Sequence, residues 1–209
     1  MLSRRNFLFG AAVLPLAYPV VARACDCLLP PHHDLVPQVR HLLDAAESQI
    51  GETVSYDPSY VRIGYPGGDV PRDRGVCCDV VIRAYRDGLR IDLQKRVHED
   101  MAAHFSAYPR NWGLRSTDRN IDHRRVPNLM TFFARAGASL PTGTPFQPGD
   151  IVTQNVAGHL PHVVIVSGDK NPRSGRYKVI HNIGAGTQLA DTLMTYPMTG
   201  HYRYFGMES

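Results

Sequence analysis

Cysteine is scarce in this sequence: four occur among 209 residues, as two tight pairs, Cys25/Cys27 and Cys77/Cys78. A disulfide framework spreads its cysteines so that each bridge closes a long loop, and this spacing does not. A long apolar run is also missing. The uncharged stretch Phe7–Val21 has 15 residues and contains Pro15 and Pro19, whereas a spanning helix needs roughly 20 apolar residues. A stable membrane anchor is therefore not expected. There is no internal repeat and no low-complexity tract, which excludes solenoid and linker architectures.

A lasting charge excess is absent too. The formal net charge is +4 and the isoelectric point is near 9.0, which would suit a nucleic-acid partner. Three of the 23 basic residues and none of the 19 acidic ones fall within residues 1–24, however, so removing that segment leaves 20 against 19. The basic character belongs mainly to the N-terminal segment, and no nucleic-acid partner is expected.

That segment has the layout of an export signal. Ser3-Arg4-Arg5-Asn6-Phe7-Leu8 is basic, Phe7–Val21 is apolar, and Ala22-Arg23-Ala24 is a small-x-small cleavage site. Paired arginines before Phe-Leu resemble the twin-arginine signal. An ordinary secretory signal that happens to carry Arg-Arg is the alternative. The expectation is a twin-arginine-type signal peptide over residues 1–24, handed to the twin-arginine export machinery. A single periplasmic domain over residues 25–209 would follow. With 43% hydrophobic and 20% charged residues, a chain of this size supports a core burying roughly 70% of its unfolded surface.

Within that domain the periodicity changes midway. Leu35, Val39, Leu42, Leu43, Ala46 and Ile50 share a helical face, with Asp34 as N-cap and Gly51 as stop. A loop rich in Gly, Pro and Tyr follows, up to Gly75. A second helix starts near Cys77 and carries Val80, Val81 and Ala84. A third spans Asp92 to Phe105, with apolar residues at steps of four. A fourth begins near Pro127 and buries Leu129, Met130 and Phe133. After the Pro148-Gly149 turn, strands are expected from Ile151, over His162–Ser167, over Tyr177–Ile183 and over His201–Phe205, with a loop over Gly168–Gly175. Helices first and an antiparallel meander second make an α+β domain with helices packed on one side of the sheet, and no second hydrophobic core is evident.

Three short segments carry chemistry. Cys77 in Gly75-Val76-Cys77-Cys78-Asp79 stands at a helix start, where unpaired N–H groups and the helix dipole favour thiolate and can also hold an oxyanion. A buried apolar cysteine, or a vicinal disulfide with Cys78, is the plainer alternative. His162 heads the apolar strand Val163-Val164-Ile165-Val166, but the chain has 10 histidines, so alone it says little. His181, in Val179-Ile180-His181-Asn182, would orient His162 if the two strands pair.

The order of these elements resembles the NlpC-type cell-wall peptidases, a bacterial branch of the papain-like superfamily. Pro148-Gly149-Asp150-Ile151-Val152 is similar to their Pro-Gly-Asp-Leu-Val element, Cys77-Cys78-Asp79-Val80-Val81 to their Cys-Ser-Gly-Leu-Val helix start, and His162-Val163-Val164-Ile165-Val166 to their His-Val-Gly-Ile-Tyr strand. Ile180-His181 is similar to the strand of their third residue. Other segments resemble the domain-of-unknown-function 1287 family: Tyr65-Pro66-Gly67-Gly68-Asp69-Val70-Pro71, Gly75-Val76-Cys77, Val97-His98-Glu99-Asp100-Met101 and Asn120-Ile121-Asp122-His123-Arg124-Arg125-Val126-Pro127. The resemblance implies a papain-like fold and a catalytic triad of Cys77 as nucleophile, His162 as general base and His181 as orienting residue. It further implies cleavage of an amide in a peptidoglycan peptide through an acyl-enzyme, with no metal or other cofactor. Cys78-Asp79 replaces Ser-Gly after the nucleophile, which leaves open which thiol attacks. Thr153 and Gln154 replace the usual aromatics, and the span from His162 to His181 is long.

Candidate substrate contacts are Tyr65, Cys78, Asp79, Asp122, His123 and Arg124. Asp122, His123, Arg124 and Arg125 form a polar cluster able to meet substrate carboxylates, with helix capping and salt bridges as the plainer reading. A zinc reading of the histidines has only His159-x-x-His162 in its favour, and no metal is expected. Non-catalytic binding of cell-wall peptide or a protein partner in the same cleft, and acyl-transfer chemistry on another substrate, are the competing functions.

Overall fold

Proline sets the first boundary of the fold. The computed structural model describes residues 34–206, so the signal-peptide reading of residues 1–24, the Cys25/Cys27 pair and His32-His33 lie outside the described residues. Helix α1 (Pro37–Glu47) opens on Pro37, with Val36 as N-cap and no side-chain cap. The expected Asp34 cap fails because a residue preceding proline is pushed out of the helical region, and Val36 sits at φ −57, ψ 144. At the other end the helix stops at Glu47, and the chain turns to Gly51 at φ +82. Ile50 is therefore off the buried face and 42% exposed.

Helix α2 (Cys77–Leu89) is the centre of the molecule. Its first nine residues, Cys77 to Tyr85, are all buried, charged Asp79 and Arg83 included. It packs against α1, against α3 (Leu93–Ala103) and against the sheet. Gly88 permits the close approach to α1: a Cβ there would stand 2.3 Å from the His41 carbonyl oxygen. Gln49 ties the same pair, donating from Nε2 to the Val80 carbonyl at 3.0 Å. The third helix is capped by Asp92, whose Oδ1 accepts the Lys95 N–H at 3.0 Å, and it buries Leu93, Val97 and Met101. Helix α4 (Val126–Arg135) carries Pro127 in its first turn and buries Leu129, Phe132 and Phe133.

The second half forms five antiparallel strands. They are β3 (Ile151–Val156), β4 (Leu160–Lys170), β5 (Tyr177–Asn182), β6 (Thr187–Ala190) and β7 (Met198–Tyr202), in spatial order β6-β5-β4-β3-β7. The short β1 (Ser55–Tyr56) and β2 (Arg74–Gly75) pair in parallel within the loop before Cys77. Three details depart from the sequence expectation. Strand β6 was not expected, β4 runs on to Lys170 in the segment read as loop, and β7 begins three residues earlier, ending at Tyr202.

Helical core residues pack with one face of the sheet, through Ile151, Val163, Ile165, Ile180 and Tyr202. The opposite face carries a second, smaller apolar cluster that was not expected: Val152, Val164, Val166, Val179 and Leu193, with Phe146 and Tyr177 against it. Uninterrupted apolar Val163-Val164-Ile165-Val166 signals a strand buried on both faces, and connecting segments rather than helices supply the second cover. Asp150 accounts for the Pro-Gly-Asp element. It is fully buried and accepts from His201 Nε2 at 2.8 Å, Arg203 Nε at 2.8 Å and the Gln147 N–H at 2.8 Å, clamping β7 to the start of β3.

Arg83 organises the long loop before Cys77. Its side chain is fully buried and donates to Asp69 at 3.0 Å, to Thr53 Oγ1 at 2.9 Å and to the carbonyls of Val70, Pro71 and Arg74 at 3.0–3.2 Å. Removing the guanidinium takes away its ion pair with Asp69 and the bonds to Thr53 and to three carbonyls, of which Pro71 keeps the Arg74 N–H. Arg83→Met should therefore lower unfolding free energy in urea by about 3 kcal/mol or more; a loss under about 1 kcal/mol would show that water replaces the side chain without difficulty.

Candidate active site

The local fold first decides where the thiol stands. Val76 is extended at φ −108, ψ 179, and Cys77 is the first residue of α2. Helix geometry leaves the N–H groups of Cys77 and Cys78 without intrahelical acceptors. The Val76 N–H is satisfied by Asp79 Oδ2 at 2.6 Å, three residues ahead. Asp79 in turn takes both arms of Arg124, at 2.9 Å each, and Arg124 also donates to the carbonyls of Ser59 at 3.1 Å and Asp57 at 3.3 Å. The pair is buried, its side chains 3% exposed each. Asp79 and Arg124 were expected to contact substrate. Arg124 lines the cleft that holds Cys77, while the hydrogen bonds of the pair run to each other and to the backbone around the helix start.

Both thiols are free and buried. A hydrogen bond from Cys78 holds the Cys77 thiol well below its ordinary range, and His162 and the Val163 N–H add to this against the cost of burial. Burial pushes Cys78 well up, as does the neighbouring Cys77 thiolate. Of the two thiols, Cys77 beside the imidazole is therefore the one whose charged form is favoured, with Cys78 as its donor. Both line an open cleft of about 180 Å³, with Tyr56, Trp112, Arg124, Arg125 and Pro161. Burial, then the neighbouring thiols, lift the Tyr56 hydroxyl to about 12, so this wall of the cleft is a neutral phenol.

His162 is 4% exposed and begins the buried part of β4, after the exposed Leu160 and Pro161. Its Nε2 lies 2.9 Å from His181 Nδ1 on β5, with the rings edge to face. Antiparallel register between β4 and β5 produces this meeting, in which Ile165 opposes Ile180. Burial, followed by the charge of His162, lowers His181 to about 4. His181 is neutral at neutral pH, so its Nδ1 can accept from a protonated His162 while its Nε2 carries the proton. Among the described residues that Nε2 has no hydrogen-bond partner.

Asn182 escaped the sequence reading as a functional residue. Fully buried, it donates from Nδ2 to the Gly75 carbonyl at 3.0 Å and the Ser55 carbonyl at 3.1 Å. One strand end thus orients His162 through His181 and holds the chain two residues before Cys77 through Asn182. A polar residue directly following a candidate triad member was the available signal.

Three expected substrate contacts stand apart from the cleft wall. Tyr65 packs edge to face on His98, with its hydroxyl 3.4 Å from Glu99. Asp122 is fully buried, accepting from His98 Nδ1 at 2.9 Å and the Asp118 N–H at 2.8 Å, and burial pushes its carboxyl up. His123 is 1% exposed, and burial lowers it to about 4. Among the described residues no group of three or more His, Cys, Asp or Glu is arranged to hold a metal.

His123 and His181 both fall from an ordinary 6.5 to about 4. Between those values the unfolded chain binds a proton at each and the folded chain does not. Stability is therefore intact above pH 6.5 and is lost as pH falls toward 4, by up to about 1.4 kcal/mol per pH unit for each histidine. Urea midpoints taken across this window should fall accordingly, and His123→Gln should remove about half the slope. A flat profile would mean that neither histidine is held neutral by burial.

Two comparisons bear on identity. A curated relative, "Uncharacterized protein YijF" of Escherichia coli (strain K12), is 54% identical over 167 residues, covering 78% of this chain and 80% of the relative. The family profile described as "Domain of unknown function (DUF1287)" matches residues 43–204, from the middle of α1 to beyond β7. The chain belongs to that family.

Proposed function

We propose that this protein is a papain-like, NlpC-type cysteine hydrolase that cleaves an amide bond in peptidoglycan stem peptides. The observation that carries the reading is a helix-starting thiol held as thiolate beside His162, whose far nitrogen lies 2.9 Å from neutral His181. The export-type sequence of residues 1–24 supports a periplasmic location and delivery by the twin-arginine machinery. No helix among the described residues is long and apolar enough to cross a membrane.

The scheme uses only this chain's groups. Cys77 Sγ attacks the amide carbonyl carbon, and the oxygen, now negative, is met by the free N–H groups at the start of α2. Protonated His162 gives its proton to the departing amine, leaving a thioester on Cys77. His162 then takes a proton from water, whose oxygen attacks the thioester and releases the acid. His181 holds the imidazole in the ring orientation that both steps need.

A second reading is non-catalytic retention of a cell-wall peptide or protein partner in this cleft. It is favoured by the low exposure of Cys77, 3%, and by an adjacent thiol able to lock it as a disulfide.

Iodoacetamide labelling of purified protein as a function of pH separates the two. Cys77 should react well below pH 8, and His162→Ala should move that onset upward. On a muropeptide that is cleaved, His162→Ala should lower kcat by roughly 10²–10⁴, while His181→Ala lowers kcat with KM nearly unchanged. If neither thiol reacts before alkaline pH after gentle reduction, the hydrolase reading is wrong.

A further inference from the structure

One cation in the cleft is left over once the buried pairs are assigned. Arg124 is consumed by Asp79 and two carbonyls. Its neighbour Arg125 also lines the cleft that holds Cys77. It makes no ion pair or hydrogen bond among the described residues, and its Nη1 is buried without a partner. The carboxylates whose charge reaches it are Asp122 and Asp118: Asp122 Oδ2 accepts from His98 and the Asp118 N–H while its Oδ1 has no hydrogen-bond partner, Asp118 accepts from Tyr60 and Asn120, and neither is bonded to Arg125.

What Arg125 does have is an aromatic clamp. Its guanidinium carbon lies 4.3 Å from the Trp112 ring centroid, and both residues line the cleft. Trp112 is 58% exposed and sits at φ 63, a backbone region that L side chains rarely adopt, next to Gly113 at φ 67. The contact this exposed indole makes is with the Arg125 guanidinium, which lies over its ring. Nε and Nη2, which are neither hydrogen-bonded nor buried without a partner among the described residues, are the N–H groups left for a ligand, and paired bonds to a carboxylate form along that edge.

We propose that Arg125, braced by Trp112, is a specificity residue that binds a carboxylate of the peptide held against Cys77. The substrate class is then an acidic peptide with a free carboxylate near the reacting amide, and amidation of that carboxylate would mask it. This rests on the reading of the cleft as a peptide site, deepens it, and does not need turnover. A guanidinium that lines the cleft without a protein acceptor gains charge-assisted hydrogen bonds from a ligand carboxylate. A carboxamide presents only one neutral acceptor to the same edge.

The test is binding to the Cys77→Ser protein, by calorimetry, of two γ-glutamyl stem peptides that differ only in a free or amidated glutamate carboxylate. The free acid should bind at least about tenfold more tightly, the factor expected of a charge-assisted hydrogen bond. Arg125→Gln should bring the two affinities within about twofold of each other. Trp112→Leu, a change at an exposed ring, should shrink the preference while thermal melting stays close to the parent protein. Equal affinities, failure of both peptides to bind, or a preference that survives Arg125→Gln would overturn the proposal. Because the reacting thiol is replaced throughout, this outcome is independent of the labelling result. An unreactive Cys77 with a strong acid preference would retire the hydrolase and keep the carboxylate site.

Discussion

The first turn of α2 has to be held still while its N–H groups remain open, and the surrounding structure serves that requirement. A helix start normally satisfies its free donors with a Ser, Thr, Asp or Asn cap. Here the N-cap is Val76, which has nothing to offer, and the stabilising carboxylate lies inside the helix at Asp79. Asp79 reaches back to the Val76 N–H, so the donors of Cys77 and Cys78 stay unoccupied. Burying that carboxylate would be prohibitive alone. Arg124 makes it tolerable with two parallel bonds and gives two more to the Ser59 and Asp57 carbonyls.

A second buried arginine does the same for the loop that leads in. Arg83 gathers Asp69, Thr53 and three carbonyls, fixing the chain between β1 and β2. Asn182 completes the enclosure from the sheet side through the carbonyls of Gly75 and Ser55. Position is thus imposed on Cys77 by four buried polar side chains: Asp79 and Arg83 from α2, Arg124 from the short 3-10 turn Asp122–Arg124, and Asn182 from β5. The thiolate follows from that placement: Cys78, His162 and the Val163 N–H all face a sulfur that the helix start has presented to them.

Much of this frame was legible in the chain. Four helices, the change to strands after Pro148-Gly149 and the Cys77 helix start follow from periodicity and turn residues, which act over a few positions. The errors were also local in origin. Asp34 looked like a cap until Pro37 forced the chain at Val36, and β6 is too short to show alternation. The apolar run Val163–Val166 announced burial on both faces, yet nothing near it names Leu193 or Phe146 as the cover.

The polar residues divide along the same line. By itself the sequence determined that a cysteine begins a helix, that a histidine heads an apolar strand and that a second histidine lies on the next one. Those features depend on short-range pattern. Only the tertiary structure decided which charges are already spent. Asp79 and Arg124 are 45 positions apart and meet as a buried pair, whereas Arg125, one residue on, meets an indole and remains unpaired in the cleft. Arg124 ends a short 3-10 turn and Arg125 is extended, so the adjacent arginines face different neighbours. Which of those neighbours bears the opposite charge is set by long-range packing that no local pattern encodes.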